Sequence, residues 1–187
     1  MSTYDSDPES LTEVLDAEVW RQWSSGPRWY YALAALIPDQ DVKQRQLQVA
    51  RALSDWLILD SDSQPHVTVR TLGFTPVQWR TRDVDLIVGQ PETFVSAAYL
   101  KVMCPDILQL RGLLETTNFD SQPLPSEDRN EAYVPHITVG TYRRVVPLAK
   151  VRARLSCVSA VPDLRVTATI HQIAIDTRSR VGKWHKV

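Results

Sequence analysis

Apolar residues recur along this chain with two periods, and the switches between them mark its elements. Ser10-Leu11-Thr12-Glu13 has the form of a helix capping box, and Leu11, Val14, Leu15, Val19 and Trp23 follow at helical spacing. The pattern predicts a short amphipathic helix that docks on the domain and ends at Gly26-Pro27. The apolar run 28–38, with aromatic residues at its start and proline at each end, predicts a buried strand. From Asp41 the period lengthens: Val42, Val49, Leu53, Trp56 and Leu57 alternate with Lys43, Arg45, Gln48 and Arg51, as on a surface helix with one buried face.

Residues 60–65 form a polar loop, and the β-branched run from His66 reads as a strand. Residues 84–94 and 97–104 read as a strand pair, and Pro105-Asp106 opens a helix ending near Thr117. A long polar loop, 118–135, leads to a second β-branched run at His136. A helix over 147–158 and an alternating strand over 164–177 follow, and then a basic tail. Residues 1–27 are thus a polar segment with a docking helix, and residues 28–187 a single two-lobed domain.

The two β-branched runs are nearly identical. Pro65-His66-Val67-Thr68-Val69 returns as Pro135-His136-Ile137-Thr138-Val139, in a chain with only four histidines. Side chains alternate faces along a strand, so His and Thr point together while Val67, Val69, Ile137 and Val139 point into a packed face. A single His-x-Thr on a strand is ordinarily structural. The matched pair points to chemistry, because a core rarely needs the same polar pair twice in the same local context. Two imidazoles flanked by two hydroxyls suit in-line displacement at phosphorus: one ring as base, the other as acid, the hydroxyls on the non-bridging oxygens. This chemistry requires no metal, and none is expected.

The same alternation nominates Arg70 to neutralise phosphate charge and Tyr142 to stack on a base, with Tyr133 a further stacking candidate at the end of the long loop. His171 lacks a threonine two positions on and reads as structural, and His185 as a solvated tail residue. Histidine and cysteine show no zinc spacing, and the chain has neither a P-loop nor a GxGxxG turn. No cofactor is therefore expected.

The paired motifs, "PHVTVRTLGF" and "PHITVGTY", resemble the two signatures of the two-histidine (2H) phosphoesterase superfamily. That superfamily includes 2′-5′ RNA ligase-like proteins and 2′,3′-cyclic nucleotide phosphodiesterases. The resemblance implies an α+β, bilobal pseudo-twofold fold, with antiparallel sheets flanking a central cleft and helices outside. It implies His66 and His136 as the catalytic pair, Thr68 and Thr138 as phosphate-binding hydroxyls, and metal-independent hydrolysis of a cyclic or 2′-linked phosphodiester.

With 43% hydrophobic residues the chain can build a core, while its net charge of −1 gives no long-range attraction to RNA. Many ligase-like members carry a basic residue soon after the second motif; here Gly140-Thr141-Tyr142 precedes Arg143-Arg144. A 2′,3′-cyclic phosphate or another small nucleotide is therefore the expected substrate. A phosphodiesterase degrading cyclic-oligonucleotide signals and an RNA-binding module with vestigial catalysis are the alternatives. A small nucleotide or an RNA end is the expected partner. Two cysteines without motif spacing, an acidic N-terminus and no long apolar run suggest a cytoplasmic protein away from membranes, and a monomer is expected. One disulfide in a secreted protein is the alternative.

Overall fold

The computed structural model describes residues 10–14, 17–59, 64–115, 132–159, 161–179 and 183–187. Leu15 and most of the predicted loop, residues 118–131, lie outside them, as do parts of the 60–65 loop and of the basic tail. The elements run α1 (Ala17–Ser25), β1 (Trp29–Leu36), α2 (Gln40–Ala52), β2 (Leu57–Leu59), β3 (His66–Gly73), β4 (Arg82–Thr93), β5 (Ala97–Met103), α3 (Pro105–Glu115), β6 (His136–Tyr142), α4 (Leu148–Ser156), β7 (Leu164–Asp176) and β8 (Trp184–Lys186). No helix among the described residues is long and apolar enough to cross a membrane.

The fold is α+β. One eight-stranded antiparallel sheet runs β2-β6-β5-β4-β7-β1-β3, with β8 added to β7. The sheet is continuous through the β4–β7 pairing. It curls until β3 and β6, far apart in pairing order and not hydrogen-bonded to each other, come within 8 Å between Cα atoms.

Alternation gives the sheet two different faces. Leu33, Val67, Val69, Leu86, Leu100, Ile137 and Ile170 form the main core with the apolar stripes of α2, α3 and α4, including Val42, Val49, Ile107 and Val151. Asp39 caps α2 by accepting from the Val42 N–H at 3.0 Å, a contact worth about 1 kcal/mol. Arg45 locks α2 down: its buried guanidinium donates to the carbonyls of Val88, Gly89 and Pro162. The opposite face, here called the open face, carries a smaller apolar cluster of Tyr30, Ala32, Ala34, Leu36, Ile173 and Ile175, packed by Trp23, Phe74 and Trp184.

The predicted N-terminal helix is shorter than its apolar spacing suggests. It begins at Ala17, and Leu11 instead bridges to Pro147 in extended conformation. Thr12 is buried; its N–H donates to the Val146 carbonyl, its hydroxyl to the Arg144 carbonyl, and its Oγ1 accepts from the Val146 N–H. These bonds to distant chain outbid the local capping box. Strands β2 and β8, three residues each, fall where the sequence predicts helix end and tail.

Candidate active site

The repeated pentapeptides make matching backbone contacts, although β3 lies at the sheet edge and β6 between β2 and β5. Both prolines are buried, and each hands its carbonyl to the strand next door: Ile37 N–H donates to Pro65 at 2.9 Å, and Val102 N–H to Pro135 at 3.1 Å. Each histidine then bonds back to the carbonyl two residues before it, His66 Nδ1 to Gln64 at 3.0 Å and His136 Nδ1 to Val134 at 2.8 Å. A carbonyl can only accept, so Nδ1 carries the proton and, in the neutral ring, Nε2 bears the lone pair. The backbone thereby selects the same tautomer twice.

Register decides which side chains share the open face. His66 and Thr68 stand opposite Leu36 and Ala34 of the open-face cluster, whereas Val67 and Val69 are fully buried in the main core. On β6, His136 and Thr138 stand opposite Lys101 and Tyr99, while Ile137 and Val139 enter the core. His66, Thr68 and His136 are half-buried and Thr138 is exposed. The strand alternation predicted for both motifs therefore holds as far as the threonine of each.

Beyond it, both strands slip. The β1–β3 register passes from Ala34–Thr68 to Leu33–Arg70, and the β5–β6 register from Tyr99–Thr138 to Ala98–Gly140. Val69 and Val139 are thus the extra residues of two bulges at the same motif position. A bulge puts two residues opposite one and inverts the alternation that follows. This corrects two sequence expectations. Tyr142 turns into the main core, 1% exposed, with its hydroxyl 2.6 Å from Thr93 Oγ1 and its ionisation pushed up by burial, so it offers no stacking surface. Arg70 stands opposite Leu33, a main-core residue, and leaves the histidine row. Its place in β6 is taken by Gly140, where an added Cβ would meet the Ile58 carbonyl of β2 at 2.6 Å.

Tyr133 serves as a strut rather than a stacking platform. Its hydroxyl donates to the Thr68 carbonyl at 2.7 Å, and the Arg111 guanidinium lies 4.1 Å from its ring centroid. Arg111 in turn donates to the Val69 carbonyl at 3.0 Å, so α3 and the approach to β6 are both fastened to β3.

The surroundings of the two histidines differ. His136 meets the edges of Phe94 and Tyr99, at centroid distances of 5.0 and 5.5 Å, and those two rings stack on each other at 4.0 Å. Burial pushes the His136 pKa below its ordinary value, partly opposed by the bond to Val134. Tyr99 donates to Glu92, which also pairs with Lys101. His66 instead meets Trp184 of β8 edge-on at 5.3 Å. His171 also faces the open side, in register with Ala34 and hence in the row of Thr68; burial and the Lys186 charge lower its pKa, against Asp83. Phe94, Tyr99, Lys101 and Trp184 carry no signal in the sequence: the first three lie in ordinary strand patterns and Trp184 in the basic tail, with no motif around any of them. Cys104 is buried, Cys157 is exposed, and both are free thiols.

No family model matches the chain, and no curated protein matches it. Among solved structures, it is similar to TT0787 of Thermus thermophilus, with 13% identity and a TM-score of 0.51 over 84% of this chain and 94% of that one. At that identity the likeness speaks for the fold alone.

Proposed function

We propose that the protein is a metal-independent phosphodiesterase that opens a 2′,3′-cyclic phosphate, or another small cyclic or 2′-linked nucleotide, with His66 and His136 as acid and base. The observation that carries this reading is the matched tethering of the two rings. Both Nδ1 atoms are bound to backbone carbonyls two residues upstream, and both rings stand on the face that also holds Thr68 and Thr138. Such tethering spares the protein the cost of orienting each ring at the moment of reaction.

In the reaction, water attacks phosphorus while one Nε2 takes its proton. The opposite P–O bond breaks, and the other ring, protonated at Nε2, delivers its proton to the leaving alkoxide. Thr68 and Thr138 donate to the non-bridging oxygens as charge builds on them. A two-lobed, pseudo-twofold organisation is part of the proposal. It is supported by the equivalence of Pro65 with Pro135, of His66 with His136 and of the bulges at Val69 and Val139.

The test is a hydrolysis screen of purified protein in EDTA. It covers the four nucleoside 2′,3′-cyclic phosphates, ADP-ribose cyclic phosphate, 2′-5′ oligonucleotides and cyclic dinucleotides, with His66→Ala and His136→Ala alongside. Turnover of at least one substrate, lost in both variants, is expected. Activity that vanishes in EDTA and returns with a divalent ion would overturn the mechanism.

A further inference from the structure

We propose that Lys101, on β5, holds the phosphate of the ligand beside His136, and that Glu92 competes with that phosphate for the Lys101 ammonium. This rests on the two-histidine reading above and supplies the cation that the paired motifs lack.

The motif strands themselves bring little positive charge. Arg70 is the only lysine or arginine in β3 and β6, and the bulge at Val69 takes it off the histidine row. Two neutral hydroxyls would then face a phosphodiester whose negative charge grows in the transition state. Lys101 fills that gap by register. It stands directly opposite His136, and Tyr99, two places earlier, stands opposite Thr138. Lys101 is therefore the cross-strand neighbour of the second histidine and lies diagonal to the second threonine. Leu100 and Val102 enter the main core, which leaves Lys101 on the open face. Its side chain is 50% exposed, so a ligand can reach the ammonium.

The partner of that ammonium sets the terms of binding. Lys101 Nζ donates to Glu92 Oε1 at 3.2 Å, and the other carboxylate oxygen accepts from the Tyr99 hydroxyl at 2.9 Å. Glu92 stands opposite Tyr99, in the row of Thr138. Its side chain is 43% exposed, and an ion pair so open to water is held weakly. A phosphate oxygen can therefore replace the carboxylate, and the flexible lysine stem turns to follow it. Tyr99 keeps Glu92 within reach of the ammonium, so the carboxylate opposes the ligand.

The test is calorimetric binding of adenosine 3′-monophosphate and of adenosine to wild type, Lys101→Met, Lys101→Arg and Glu92→Gln, each checked for a wild-type-like melt. Adenosine lacks the phosphate, and glutamine keeps an oxygen for the Tyr99 hydroxyl. Wild type should prefer the nucleotide to adenosine. Lys101→Met should weaken nucleotide binding roughly 10-fold with adenosine unchanged, and Lys101→Arg should keep most of it. Glu92→Gln should move the other way and tighten nucleotide binding roughly 2- to 5-fold. Opposite signs separate a phosphate site from a structural ion pair, whose two halves would fail alike. No preference for the nucleotide in wild type, no change in Lys101→Met, or no tightening in Glu92→Gln overturns the assignment. If Lys101→Met melts early, Glu92→Gln decides alone. Failure of the two-histidine reading looks different: no cyclic phosphate is opened, yet the nucleotide still binds in a Lys101-dependent way.

Discussion

The Tyr133 hydroxyl donates to the Thr68 carbonyl at 2.7 Å, so the residue three places before the second histidine is bonded to the backbone of the first motif. Strands β3 and β6 share no ladder, and this bond helps set their spacing. Tyr133→Phe keeps the ring under Arg111 and removes only the donor. It should lower unfolding free energy by about 1 kcal/mol in urea titration. It should also cost turnover more than binding, because the two rings lose their common frame.

Each histidine should matter alone, and their losses should not add. His66→Ala or His136→Ala should each lower turnover on the order of a hundredfold to ten-thousandfold. The double variant should fall far short of the product, since both rings serve one transition state. Thr68→Val and Thr138→Val should be milder, losing one donor while the proton path stays. Steady-state kinetics on a substrate from the screen decide this, and near-wild-type turnover in either histidine variant would refute the pair.

Burial of His136 under Phe94 and Tyr99 has a pH consequence. Its lowered pKa keeps the ring neutral to more acidic pH, which suits a base. The acidic limb of kcat/KM should therefore bend below the ordinary histidine value of about 6.5. Phe94→Ala, which admits water to the ring, should move that inflection upward. The linkage has the same sign for stability. The unfolded chain binds the proton more readily than the fold, so stability is complete above the unfolded pKa and is lost as pH falls through the folded one. Melting temperatures measured from pH 7.5 to 5 should fall, and less steeply in His136→Gln.

Gly140 is where a side chain cannot go. An added Cβ would lie 2.6 Å from the Ile58 carbonyl, a backbone atom of the paired strand β2. Gly140→Ala should cost about 1–3 kcal/mol by chemical denaturation, as overpacking does. The strain falls two residues from Thr138, so turnover should drop as well. A variant as stable as wild type would mean that β2 moves freely, contrary to its ladder with β6.

Local covalent geometry let the sequence determine the two His–Thr pairs. Alternation placed His66 with Thr68 and His136 with Thr138, and set Val67, Val69, Ile137 and Val139 in the core, because it needs nothing beyond an extended backbone. The order of the longer elements was legible for the same reason: each carries its own period over at least seven residues. Tertiary structure decided the rest. The slips after Thr68 and Thr138 arise from pairing with β1 and β5, and they carried Tyr142 into the core and Arg70 off the histidine row. Strands β2 and β8 are too short to have a period and exist through their partners. Thr12 prefers the Arg144 and Val146 backbone to a helix cap, since its bonds there are buried and long-range. The aromatic walls, Trp184 at His66 and Phe94 with Tyr99 at His136, depend on how far the sheet curls, which only the sum of its pairings fixes.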